Sequence, residues 1–110
     1  LHLIMNYKFM RIIVMFDLHV TTSTLRREYT QFRKYLIKNG FLMLQESVYC
    51  KMASNSNTAE LIVSGIRRNK PNSGLVQVLR VTEKQYSNME YICGKKNKEV
   101  LETEERIVFL

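Results

Sequence analysis

Asp17 is the only aspartate in the chain, and it closes the apolar run RIIVMFD that begins at Arg11. A carboxylate at the end of a strand has three chemistries open to it. It can ligate a hard cation, act as a general base, or cap the backbone N–H groups of the Thr21 to Thr24 turn that follows. On residue pattern alone the cap takes the larger share. Metal-dependent cleavage of a phosphodiester generally gathers a cluster of carboxylates around one or two ions, and no acidic residue stands near Asp17 in sequence. A twofold axis changes that, because two facing copies of Asp17 would form a paired carboxylate site able to hold one Mg²⁺. His19 follows two residues on, on the same side of an extended chain, where it would serve as ligand or base. A lone histidine in such a place is more often an ordinary loop residue.

Cations are the second chemistry. Lys and Arg number 17 against 10 Asp and Glu, a net charge of +7, which points to nucleic acid, an anionic membrane surface or an acidic protein as partner. On a helix carrying Leu25, Tyr29, Phe32 and Leu36 on one face, Arg26 and Arg33 fall on one flank of that face. Arg27, Lys34 and Lys38 fall on the opposite surface, and only Glu28 offsets them. Arg67, Arg68 and Lys70 extend the end of a second helix, and Lys95, Lys96 and Lys98 precede the acidic Glu99, Glu102, Glu104 and Glu105. Most basic helices simply present a solvated face. A basic face without interleaved aromatic residues suits the backbone of a duplex better than stacking on single-stranded bases.

The elements that must position these groups follow from hydrophobic patterning. Phe9 to Phe16 is apolar on both faces, as a central strand is. Thr21, Thr22, Ser23 and Thr24 offer N-caps for the helix that ends at the Asn39 and Gly40 pair. Phe41 to Met52 is extended, either as one bent strand or as two joined tightly. Ala59, Ile62, Val63 and Ile66 mark the second helix, and Asn69 to Gly74, with the only proline, is a turn. Leu75 to Thr82 is a strand, Glu83 to Asn88 a short helical turn, and Met89 to Cys93 extended. Gly94 to Glu105 is polar and charged, and Arg106, Ile107, Val108, Phe109 and Leu110 form an isolated apolar strand.

This order predicts an α+β fold, a ferredoxin-like split βαβ sandwich with two helices on one face of an antiparallel sheet. With 110 residues, 45% of them hydrophobic, one domain over 5–94 is expected, followed by a charged linker and strand over 95–110. The spare strand either pairs with the sheet of a second protomer, giving a homodimer by strand exchange, or closes its own sheet. Residues 1–4 precede a candidate initiator at Met5 and carry no expected role. The longest apolar run near the start is only Ile12 to Phe16, so neither a signal sequence nor a membrane span is expected, and a cytoplasmic location is expected. Cys50 and Cys93, far apart and without His at ligand spacing, are expected to be reduced core thiols.

The segments FMRIIVMFDL, the basic helix, NGFLMLQESVYCK, LRVTEKQYSNMEYICG and RIVFL together resemble the smaller of the two universal CRISPR-associated adaptation proteins, in the form found with single-effector (type II) systems. The resemblance spans nearly the whole chain from Met5. It implies a ferredoxin-like homodimer that bridges two dimers of the larger adaptation protein, the integrase, and binds a short double-stranded DNA for insertion as a spacer. Members of that family are also described as Mg²⁺-dependent nucleases on RNA or DNA, which makes Asp17 the metal ligand and catalytic residue. Phe16 and Tyr49 match the aromatic positions flanking that site. His19 stands where many members have proline, and Met43 where several nuclease-active members have arginine. Two function classes stay open: a DNA-binding assembly subunit, which the basic surface and spare strand favour, and a metal-dependent endonuclease.

Overall fold

The computed structural model describes residues 9–94. The expectations for residues 1–4, for the linker beyond Gly94 and for the strand Arg106 to Leu110 with its exchange between protomers fall outside the described residues.

β1 (Met10–Asp17) alternates strictly. Ile12, Val14 and Phe16 are buried on one face, while Arg11, Ile13, Met15 and Asp17 point to the other. It is the centre of a four-stranded antiparallel sheet in the order β2-β3-β1-β4, formed with β2 (Leu42–Gln45), β3 (Val48–Ala53) and β4 (Leu75–Thr82). That order is the split βαβ topology expected from the element pattern.

The two long helices cover the Ile12, Val14 and Phe16 face. α1 (Ser23–Lys38) contributes Phe32 and Leu36, and α2 (Ser56–Arg68) contributes Ala59, Val63 and Ile66, to one core with Phe41, Tyr49 and Ala53. Each helix starts on a side-chain cap: the Leu25 N–H donates to Thr22 Oγ1 at 3.1 Å, and the Thr58 N–H to Asn55 Oδ1 at 2.8 Å. The cap of α1 is therefore Thr22, one of the expected hydroxyls. The cap reading of Asp17 is overturned, because that carboxylate lies five residues upstream, at the last paired position of β1 opposite Leu75.

Phe41 to Met52 resolves into two strands. A register shift between Met43 and Gln45 and Ser47 at φ 64° turn the chain between them, and the Ser47 carbonyl accepts the Phe16 N–H at 3.1 Å. Serine at a left-handed position is uncommon, which is why the sequence carries no turn signal there.

α3 (Glu83–Ser87) opens with a reciprocal capping box between Thr82 and Gln85. It covers part of the opposite sheet face. There the Arg11 guanidinium, 3% exposed as a residue, donates to both Glu83 carboxylate oxygens at 3.1 and 2.7 Å and stacks over the Tyr86 ring at 4.2 Å.

Two expectations are corrected. Met89 to Cys93 pairs with no strand among the described residues. Its β-forming composition misled, and Ile92 is 84% exposed, so burial does not drive it into a ladder. Cys93 is exposed on this segment, and only Cys50 is a core thiol. No helix among the described residues is long and apolar enough to cross a membrane.

Candidate functional site

The C-terminal end of β1 carries the site. Asp17 shares a sheet face with Met15, Ile13 and Arg11, and cross-strand pairing adds Leu75, Gln77 and Leu79 of β4 and Val48, Cys50 and Met52 of β3 to that face. Leu75, Leu79 and Met52 are 52, 50 and 40% exposed, so away from α3 this is an open, largely apolar surface with a carboxylate at its end. Gly74, at φ +93°, lies against the Asp17 carbonyl and Leu18, and fixes where β1 hands over to the loop.

The Asp17 carboxylate is exposed and makes no hydrogen bond or ion pair among the described residues. His19 is also exposed and does not bond to it. No group of three or more His, Cys, Asp or Glu side chains among the described residues is placed to hold a metal ion. The described residues of one protomer therefore form no closed cage there. A hard cation such as Mg²⁺, which retains several waters and commonly takes only one or two carboxylates, still fits a solvated, unpaired Asp17.

On the other side of β1 the site has an aromatic floor. The Phe16 ring stacks on Tyr49 at 5.8 Å and meets Phe32 and Tyr29 edge-on at 5.2 and 6.0 Å. The Tyr49 hydroxyl accepts the Arg33 Nε–H at 2.9 Å, and Arg26 donates from a terminal nitrogen to the Val20 carbonyl at 3.2 Å. Arg26 and Arg33 thus sit on one flank of α1, each fastened to backbone or side chain near the end of β1. Arg27, Lys34 and Lys38, on the opposite surface, are exposed and unpaired among the described residues. Glu28 forms no ion pair with them; its carboxylate accepts both the N–H and the side-chain amide of Asn72 at 3.2 Å and ties down the 69–74 turn.

The basic end of α2 is divided. Arg67 donates to Glu60 at 2.9 Å, and Arg80 of β4 donates to the other Glu60 oxygen at 2.8 Å. These two guanidiniums lower the Glu60 pKa to about 2, the hydrogen bond from Arg67 being the larger cause. Arg68 is exposed without such a partner among the described residues.

Sequence reasoning singled out Asp17 and the α1 cations but missed the Arg33–Tyr49 bond, the Glu60 bridge and the Arg11–Glu83 pair. These join residues up to 72 positions apart, for which periodicity holds no signal.

Known proteins resemble this chain over most of its length. The family model described as "CRISPR associated protein Cas2" matches residues 10–89. A protein of Treponema denticola named "CRISPR-associated endoribonuclease Cas2" is 54% identical over 101 residues, covering 92% of this chain and 100% of the relative. One of the same name from Ligilactobacillus salivarius is 46% identical with the same coverage. A crystal structure described as Cas2 superposes with a TM-score of 0.55 at 18% identity, over 81% of this chain and 91% of that one, which supports the fold.

Proposed function

The chain belongs to the CRISPR-associated protein Cas2 family, and from that premise we propose that it acts in the cytoplasm as a homodimeric subunit of spacer acquisition. In this role it bridges dimers of the larger adaptation integrase and holds the phosphate backbone of the captured DNA duplex. The observation that carries the reading is the unpaired basic surface of α1, where Arg27, Lys34 and Lys38 stand exposed with no acidic partner among the described residues. Such a surface binds backbone without base readout. The open sheet face supports the dimer: a second copy laid over Ile13, Met15, Leu75 and Leu79 would bury apolar area and bring the two Asp17 ends towards each other.

The test is salt dependence. With about three phosphates neutralised per protomer, the slope of log K against log salt is expected near ~−5, from roughly −0.9 per phosphate. Replacing Arg27 and Lys34 with alanine flattens that slope and weakens binding equally for duplexes of unrelated sequence. A strong sequence preference, or affinity insensitive to salt, overturns the reading and assigns DNA capture to the integrase.

A second reading is favoured by Asp17, exposed and unpaired among the described residues, together with the relatives' name of endoribonuclease. Here Asp17 of each protomer would hold Mg²⁺, which when bound stabilises charge on a phosphate oxygen and lowers the pKa of a water. The chain's own part is to place the carboxylate at the strand end and to fix the nucleic acid through the arginines of α1. Asp17→Asn is expected to abolish Mg²⁺-dependent cleavage of RNA or DNA while leaving dimer mass and spacer integration largely unchanged. Retained cleavage with lost integration would reverse the order of the two readings.

A further inference from the structure

The five cations of α1 are not equivalent, and Tyr49 makes the difference. The residue is 2% exposed, its ring stacked on Phe16, while its hydroxyl accepts the Nε–H of Arg33, a residue that is itself exposed. The two terminal nitrogens of Arg33 make no hydrogen bond or ion pair among the described residues. A guanidinium fastened by Nε and open at the other end keeps a planar donor edge whose direction is set before any ligand arrives. Arg26, seven residues earlier on the same flank and about 10.5 Å along the helix axis, is fastened by the Val20 carbonyl in the loop that follows Asp17. Arg27 and Lys34 have no such anchor among the described residues.

We infer that Tyr49 is a positioning residue that pre-aims Arg33 at a nucleic-acid backbone phosphate, making the Arg26–Arg33 flank a prearranged phosphate contact beside the Asp17 end of β1. The inference rests on the nucleic-acid reading above and adds to it a division of labour. Arg27, Lys34 and Lys38 supply adjustable charge. Arg33 supplies a fixed, oriented contact whose ordering entropy is already spent in the free protein. The alternative is that Arg33 serves only to satisfy a buried hydroxyl.

A double-mutant cycle in duplex DNA binding separates the two. Tyr49→Phe retains the ring and its stacking and removes only the acceptor. It is expected to weaken binding of a short blunt-ended duplex by about two- to tenfold, the cost of ordering one rotamer-rich side chain, with the salt slope unchanged because the charge remains. Arg33→Ala is expected to weaken binding further and reduce the slope, and adding Tyr49→Phe to it changes nothing more. Arg33→Lys, which keeps the charge and loses the fork, should resemble Tyr49→Phe and provides a second route if the tyrosine variant is unstable. Equal affinity of wild type and both conservative variants overturns the inference, as does a Tyr49→Phe loss that persists in the Arg33→Ala background. If those outcomes occur while Arg27→Ala with Lys34→Ala still weakens binding, only the positioning role falls. If the wild type binds no duplex, the functional reading falls with it.

Discussion

Glu60 lies between Arg67 of its own helix and Arg80 of β4, and this one carboxylate cross-links α2 to the edge strand. Its pKa is lowered from 4.5 to about 2, so the proton binds more weakly in the folded chain than in the unfolded one. The bridge therefore contributes stability above the unfolded value of 4.5, and the contribution fades as pH falls from there towards about 2. Glu60→Gln is expected to lower Tm slightly at neutral pH, by an amount that salt reduces because the pair is solvated. Melting curves of wild type and variant should converge as the solution is acidified through that window. A gap that persists at the acidic end would mean the side chain acts through packing rather than charge. The same bridge separates the two arginines at the end of α2, since Arg67 pairs with Glu60 while Arg68 has no ion pair among the described residues.

Among the elements, the handover from β1 to its loop is the one on which Asp17 depends, and a glycine outside β1 controls it. A Cβ on Gly74 would lie 2.5 Å from Leu18 Cδ2 and 3.0 Å from the Asp17 carbonyl oxygen, at a backbone φ of +93°. Gly74→Ala combines a left-handed conformation costing roughly 1–2 kcal/mol with displacement of a main-chain atom. It is expected to destabilise the fold by about 2 kcal/mol or more and to shift the Asp17 amide resonance. Alanine tolerated with neither effect would show that the strand end can move. Much of this frame was legible in the sequence. The Leu25, Tyr29, Phe32, Leu36 spacing and the threonine caps marked α1, the apolar run marked β1, and the proline-containing turn marked the approach to β4. The β2–β3 turn was not legible because Ser47, rather than glycine or asparagine, takes the left-handed position. Met89 to Cys93 was read as extended from its β-forming side chains, but it has no ladder partner among the described residues. Asp17 was singled out by its rarity. The bonds that fasten Arg33 and Arg26 exist only once β3 and the loop after β1 lie beside α1.

At the scale of the molecule, the sheet has unequal edges. β2 is 4 residues long and interrupted by a register shift, a protected edge, whereas β4 runs regularly for 8 residues. The open apolar face beside it is the surface a second copy would cover, and the proposed dimer draws on both. The sequence RIVFL from Arg106 to Leu110 has the composition to extend a sheet, and the strand exchange proposed for the dimer would add it to β4 of a partner protomer. Deleting Arg106 to Leu110 is therefore expected to shift the mass seen by light scattering from dimer towards monomer. It is also expected to reduce the salt slope of duplex binding from ~−5 to roughly −3, because a lone protomer neutralises about three phosphates instead of six. Affinity should fall by more than the lost contacts alone, since the two halves no longer bind as one ligand. A truncated chain that keeps its dimer mass and its slope would leave the sheet face alone holding the dimer. An intact dimer with a reduced slope would instead place the terminal strand against the DNA.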